Sequence, residues 1–186
     1  MPDPRPLDTA SLFREHAPFV WRVLRRLGIA EADTADVCQE VFVIVHRRLA
    51  EFEHRSSART WIYGISVRAA ADHRKRVRRR REEAIEVSPE AILAASQDDM
   101  VSLREARALL DRALDQLDDD KRTVFVLYEL EELGMAEIAT VVGCPLQTAY
   151  SRLHAARSIV QRAIRAMHTT SNESPTSSVG GNKVSP

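Results

Sequence analysis

The stretch ADVCQEVFVIVHRRLAEF, residues 35–52, leaves the backbone few options. Wound at about 100° per residue, it places Val37, Cys38, Val41, Phe42, Ile44, Val45 and Leu49 on one arc. Asp36, Gln39, Glu40, Val43 and Arg47 fall on the opposite arc. A strand would scatter both sets over two faces, so the pattern specifies an amphipathic helix with a core side and a solvent side. Apolar residues recur at helical spacing through residues 9–81, with little β-branched alternation and no Asn-Gly or Asp-Gly hairpin signal. Helices are expected at about 9–28, 31–51 and 58–79. Gly28 suits the end of the first, and Ser56-Ser57 offers an N-cap for the third.

The predicted fold class is all-α: two small helical domains joined by a flexible acidic linker, the second containing a helix-turn-helix. The first domain spans 9–81, the linker 82–103 and the second domain 104–168. The 169–186 tail, rich in Ser, Thr, Gly and Pro, is expected to be disordered. A content of 44% hydrophobic and 5% aromatic residues suits small helical cores rather than one large one. The formal net charge is zero, but its distribution along the chain is uneven. Residues 41–81 carry 12 Lys/Arg against 3 Asp/Glu, while residues 82–120 carry 3 against 12. From Tyr150 to His168 there are four arginines and no acid, so two basic zones flank an acidic one.

Several function classes lose ground at this level. No apolar run approaches a membrane span, and the N-terminus lacks the apolar core of a secretory signal, so a cytoplasmic location is expected. Cys38 and Cys144 are far apart and outside any CxxC or Cys/His cluster, which reads as free thiols rather than a disulfide or zinc site. The six histidines, at 16, 46, 54, 73, 154 and 168, show no HExxH spacing. There is no GxSxG elbow and no phosphate-binding Gly loop. No catalytic residue, metal or cofactor is implied, and the expectation is that the chain is not an enzyme.

Residues 121–167 divide into KRTVFVLYEL, LGMAEIATVVG and PLQTAYSRLHAARSIVQRAIRAM, three helices with a tight Gly143-Cys144-Pro145 break before the last. A short turn between two helices makes a helix-turn-helix, whose second helix can lie in a DNA major groove. Ala149, Leu153, Ala156, Val160 and Ala163 form its packing stripe. Gln147, Thr148, Tyr150, Ser151, His154 and Arg157 are candidates for contact with DNA, and Arg152 and Arg157 could hold phosphates. Any single arginine here is better explained by solvation; the combination of Ala139, Gly143, an apolar residue at 149 and the basic face that follows favours DNA.

In the first domain, Val43 stands among the polar residues of its helix. With Asp36, Gln39, Glu40 and Arg47 around it, it suggests a protein-docking face. Downstream, Arg74–Arg81 holds seven basic residues in eight. Phe52, His54, Trp61 and Tyr63 supply aromatic surface beside it, and Arg55, Ser56, Ser57 and Arg59 supply donors, the means by which unpaired bases are stacked and hydrogen-bonded. Trp61 suits core packing equally well, and Tyr63 is open to the same reading.

DVCQEVF, FEHRSSARTWIYGIS and ADHRKR together resemble the second conserved region of sigma-70-type RNA polymerase sigma factors, and LDDDKRTVFVLYELEELGMAEIATVVGCPLQTAYSRLHAAR resembles their fourth. The arrangement is similar to the compact extracytoplasmic-function (ECF) group. The resemblance implies a factor that binds core RNA polymerase and directs it to promoters. Asp36, Gln39, Glu40, Val43 and Arg47 would dock on the clamp helices of the largest polymerase subunit. Phe52, His54, Arg55, Ser56, Ser57, Arg59 and Trp61 would capture an unstacked base of the minus-ten element. Arg68, Arg74, Lys75, Arg76 and Arg78 would hold phosphates beside it. The helix at 146–157 would read the minus-thirty-five element. An anti-sigma factor is an implied partner; a small-molecule substrate and direct membrane insertion are not. Tyr150 and Ala155 stand where relatives often carry a basic residue, and Gly64 where a bulkier one is common, so the promoter sequence does not carry over. The alternative is a stand-alone helix-turn-helix regulator, whose first domain would need a ligand pocket instead of an exposed docking face.

Overall fold

A computed structural model describes residues 7–83 and 101–172, and every regular element among them is helical. The first three helices are α1 (Thr9–Arg26), α2 (Glu31–Arg48) and α3 (Ala58–Glu83), with a short 3-10 turn at Leu49–Glu51. Asp8 opens α1 by accepting the Ser11 backbone N–H at 2.8 Å. Leu12, His16, Phe19, Val20, Val23 and Leu24 are its buried face. The chain then turns through Gly28, φ 88°. Thr9 Oγ1 lies 3.0 Å from His46 Nδ1, and the Phe13 and Phe42 rings meet edge to face, so α2 runs back along α1. Ser57 starts α3 by accepting the Thr60 N–H at 3.0 Å, as the Ser-Ser pair suggested. In α2, Val37, Cys38, Val41, Phe42 and Val45 are buried as the winding requires, while Ile44 and Leu49 are half-buried.

The second half contains α4 (Val101–Leu114), α5 (Asp119–Phe125), α6 (Met135–Val142) and α7 (Leu146–Asn172). Helices α4, α5 and α6 all pack on α7. KRTVFVLYEL is not one regular helix. After Phe125 it widens into a π-type turn at Val126–Leu130, with Glu131 N–H donating back to Val126 O at 3.1 Å. The next residue, Glu132, takes a left-handed φ of 58°. Helix α7 also runs past the expected boundary at 168, because a nucleated helix propagates through weak formers such as Thr169 and Thr170. Of the linker expected at 82–103, only residues 82–83 and 101–103 are described, at the ends of α3 and α4. Residues 173–186 of the expected disordered tail also lie outside the described residues.

The halves meet through α3 and α6 and through a polar cluster centred on Glu131. Its carboxylate accepts from Arg22 Nε and Nη2 at 3.2 and 3.0 Å, Arg26 Nη1 at 2.6 Å and the Tyr63 hydroxyl at 2.7 Å. Nearby, Arg122 Nε donates to Arg26 O at 2.7 Å, and its guanidinium lies so close to Gly28 that a Cβ there would meet Nη1 at 3.1 Å. Buried apolar residues of both halves belong to one continuous cluster. No described helix is long and apolar enough to cross a membrane.

Candidate polymerase and nucleic-acid interfaces

The polar arc of α2 is open to solvent. Asp36, Gln39, Glu40, Val43 and Arg47 are all exposed, and Val43 keeps 47% of its surface. Behind it, Val41, Val45 and Val37 are essentially covered, which fixes the orientation of the arc. Glu40 receives a bidentate pair from Arg76, Nη1 at 3.1 Å and Nη2 at 2.9 Å. These bonds hold the Glu40 carboxyl below its usual range. His73 Nε2 lies 3.1 Å from Asp33 Oδ2, a second tie between α3 and α2. Arg76 is thus engaged with the polar arc of α2 as well as standing in the basic run.

At the start of α3, three rings cluster. Phe52 stacks on Trp61 at 4.8 Å and 29°, and His54 leans on Phe52 at 4.5 Å. His54 adopts a left-handed φ of 54°, a conformation that aims the loop and is uncommon for a side-chain-bearing residue. Trp61 is half-buried, so it packs on the core and keeps a free portion. Ser56, Ser57 and Arg55 are exposed around it, and Arg55 pairs with Glu53 at 2.5 Å.

Two residues differ from the aromatic-and-donor picture. Tyr63 is fully buried and offers no stacking surface, because its register on α3 points it at Phe19 and Glu131. Arg59 turns its guanidinium over the Phe19 and Tyr63 rings, at 5.5 and 5.6 Å, and donates to the Tyr63 hydroxyl at 3.1 Å. Within the basic helix, Arg68, Lys75 and Arg78 are exposed. Arg74 instead faces inward, donating to Leu27 O and lying 3.0 Å from Asp119 Oδ1 in an ion pair without hydrogen-bond geometry. Burial pulls its pKa down from the usual guanidinium value.

The helix-turn-helix forms as its punctuation requires. Gly143 takes φ 68° and ψ 39°, the left-handed C-terminal position that glycine adopts without a Cβ clash, and Cys144 N–H donates to Ala139 O at 3.1 Å. Pro145 then leads into α7. Ala149, Leu153, Ala156 and Val160 are buried, with Ala163 half-buried at the end of the stripe. Gln147, Tyr150, Ser151, His154 and Arg157 are exposed, and Thr148 is half-buried. Ser151 spends its hydroxyl on Gln147 O at 3.0 Å. Arg152 pairs with Asp120 and Arg157 with Glu129, so neither is a free phosphate hand in this arrangement. Arg157 also lies over the Tyr128 ring at 5.4 Å.

Comparison with known proteins agrees with the order of these sites. Residues 12–81 match Sigma-70 region 2, and residues 107–160 match Sigma-70, region 4. The RNA polymerase sigma-H factor of Pseudomonas aeruginosa is 32% identical over 145 residues, 73% of this chain and 75% of that protein. The chain belongs to the sigma-70 family. The ECF RNA polymerase sigma-E factor of Escherichia coli is 30% identical over 148 residues, 75% of this sigma factor and 78% of the relative. As an ECF sigma factor, the protein binds core RNA polymerase and directs it to promoters. The paired regions speak against a stand-alone regulator. Two solved structures share the fold. CnrH in complex with the cytosolic domain of CnrY has a TM-score of 0.64 at 23% identity, covering 85% of this chain and 88% of that one. The sigma factor RpoE in complex with the anti-sigma factor NepR, from Bartonella quintana, has 0.65 at 20%, covering 84% and 96%.

Sequence reasoning did not find three features of this sigma factor: Leu146, 48% exposed at the first position of α7, the acids that hold Arg152 and Arg157, and Glu131. The Asp118–Asp120 run was visible as acidic, but no spacing rule couples it to Arg152. Nothing in the sequence around Glu131 distinguishes it from its exposed neighbour Glu132.

Proposed function

We propose that the work of initiation is divided between the two halves of this chain. The domain of residues 9–81 docks on the clamp helices of the largest polymerase subunit through Asp36, Gln39, Glu40, Val43 and Arg47. Its Phe52–His54–Trp61 cluster, with Arg55, Ser56 and Ser57, captures an unstacked base of the minus-ten element. Arg59 contributes by fixing α3 through Tyr63. Arg68, Lys75 and Arg78 hold adjacent phosphates, and Arg74 and Arg76 act once their acidic partners release them. The domain of residues 104–168 reads the minus-thirty-five element with Gln147, Thr148, Tyr150, Ser151, His154 and Arg157, while Arg152 steadies the phosphates; Arg157 and Arg152 act once Glu129 and Asp120 release them. The protein works in the cytoplasm by binding alone, with no reaction of its own. An anti-sigma factor is its regulator; CnrH and RpoE, which share its fold, are seen with such partners or with a partner's cytosolic domain.

The observation that carries this reading is the exposed Val43 within a polar arc, on the same chain as a helix-turn-helix with a polar outward face. A randomised promoter library transcribed by polymerase carrying the parent or Tyr150→Ala chain tests it. The preferred upstream element should change while the downstream one stays. Identical preferences at both elements would refute base reading by α7.

A further inference from the structure

Helix α7 opens on an apolar side chain that water alone would not select. Leu146, at its first position, and Tyr150, one turn on, each keep 48% of their surface, the most exposed large apolar residues among those described. Wound at about 100° per residue, Leu146 lies only about 20° from Leu153, yet Leu153 and Ala149 are buried while Leu146 is not. Pro145 O accepts the Ala149 N–H at 3.1 Å, which fixes the start of the helix, and left-handed Gly143 sets the turn before it. Leu146 therefore stands at the leading end of α7, beside exposed Gln147.

The function proposed above lays this end of the helix in the major groove, and the inference rests on that reading. The first residues of a reading helix contact base edges there. Residues 146–149 carry no charged side chain; the first is Arg152, which pairs with Asp120. The leading turn thus lacks the Arg or Lys that commonly reads guanine. What it offers is an amide and an isobutyl group. The amide matches adenine N6 and N7, and the one apolar group that a base pair presents in the major groove is the C5 methyl of thymine. We propose that Leu146 is a specificity-determining residue that selects a thymine of the minus-thirty-five element by covering its methyl group, next to an adenine held by Gln147. Cytosine is rejected at that place, because its N4 amine would be stripped of water against a side chain that accepts no hydrogen bond.

The test uses polymerase holoenzyme and a promoter duplex that it binds. Each thymine of the upstream element, on either strand, is replaced in turn by deoxyuridine, which removes the methyl and keeps the pairing edge. Affinity read by fluorescence anisotropy should fall roughly fourfold at one thymine, the equivalent of uncovering one methyl group. With the Leu146→Ala chain the same replacement should have no effect, while Leu146→Met, which keeps an apolar tip, should retain the response. Both variants should keep the helicity of the parent by circular dichroism, since Leu146 lies outside the buried stripe. An upstream element in which no thymine responds would overturn the proposal. So would an equal response in the parent and Leu146→Ala, which would assign the methyl to a neighbour such as Tyr150. A parent holoenzyme that binds no promoter duplex would fail the function itself, whereas binding without a thymine response fails the Leu146 assignment alone.

Discussion

Gly64 offers a perturbation whose sign can be worked from the structure. It lies inside α3 on the wall of a cleft facing α6, and a Cβ built there would meet nothing within 4 Å. Gly in a helix interior costs roughly 0.5–1 kcal/mol relative to Ala, because the unfolded chain has more freedom to lose. With no steric penalty to offset that gain, Gly64→Ala should stabilise the protein by about that amount. For a chain of this size the melting temperature should rise by about 1–4 °C. Urea denaturation followed by circular dichroism reads it as a higher midpoint with an unchanged slope. Gly64→Leu gains helix propensity too, but it fills the cleft beside Trp61 and Arg68. It should keep the stability and lose minus-ten binding. A less stable Gly64→Ala would refute the reasoning, since it would mean that α6 or the α3 backbone needs the space a methyl would take.

Four further outcomes follow from other parts of the molecule. Asp36→Arg with Glu40→Arg should abolish co-purification with core polymerase while leaving helicity intact; unchanged retention would remove the α2 arc from the docking role. Arg152→Gln should flatten the dependence of promoter affinity on salt by roughly one counterion, where an unchanged slope would mean that Arg152 meets no phosphate. Glu132→Gly relieves a left-handed φ of 58° and should stabilise by about 1 kcal/mol in urea denaturation, with loss of stability contradicting the turn geometry. The pH dependence has two limbs. Burial alone would raise the Glu131 pKa, but hydrogen bonds from Arg22 and Tyr63 turn the net shift below its ordinary 4.5, so its contribution is present above that value and fades as pH falls through the folded one. Burial, then the bond to Glu131, pushes Tyr63 from 10.0 up to about 12, so its contribution is full below 10 and is lost as pH rises toward 12. Tyr63→Phe should remove the alkaline loss, and Glu131→Gln should remove the acidic one.

The helices were legible because their periodicity is strong. The winding of residues 35–52 separated buried Val41 and Val45 from exposed Val43, and Gly143-Cys144-Pro145 placed the turn between α6 and α7. What the sequence could not convey was the partner of each charge. Arg74 and Arg78 belong to one basic run, yet Arg74 turns inward to Asp119 and Leu27 while Arg78 stays in solvent. Tyr63 and Trp61 are two residues apart in one aromatic stretch, yet only Trp61 keeps surface, because α1 covers the Tyr63 side of α3. Glu131 becomes distinctive only once a π-type turn carries it against Arg22 and Arg26. The Glu131 pairings join residues more than a hundred positions apart and those of Arg74 and Tyr63 more than forty, and local pattern carries no information about them.

The central claim, that this chain directs RNA polymerase to promoters through two reading surfaces, is tested most directly by run-off transcription with purified core polymerase on genomic DNA. The account predicts a defined set of start sites that appears only with the chain, disappears with Asp36→Arg/Glu40→Arg, and is redistributed upstream of the start by Tyr150→Ala. A transcript pattern identical with and without the chain would contradict it.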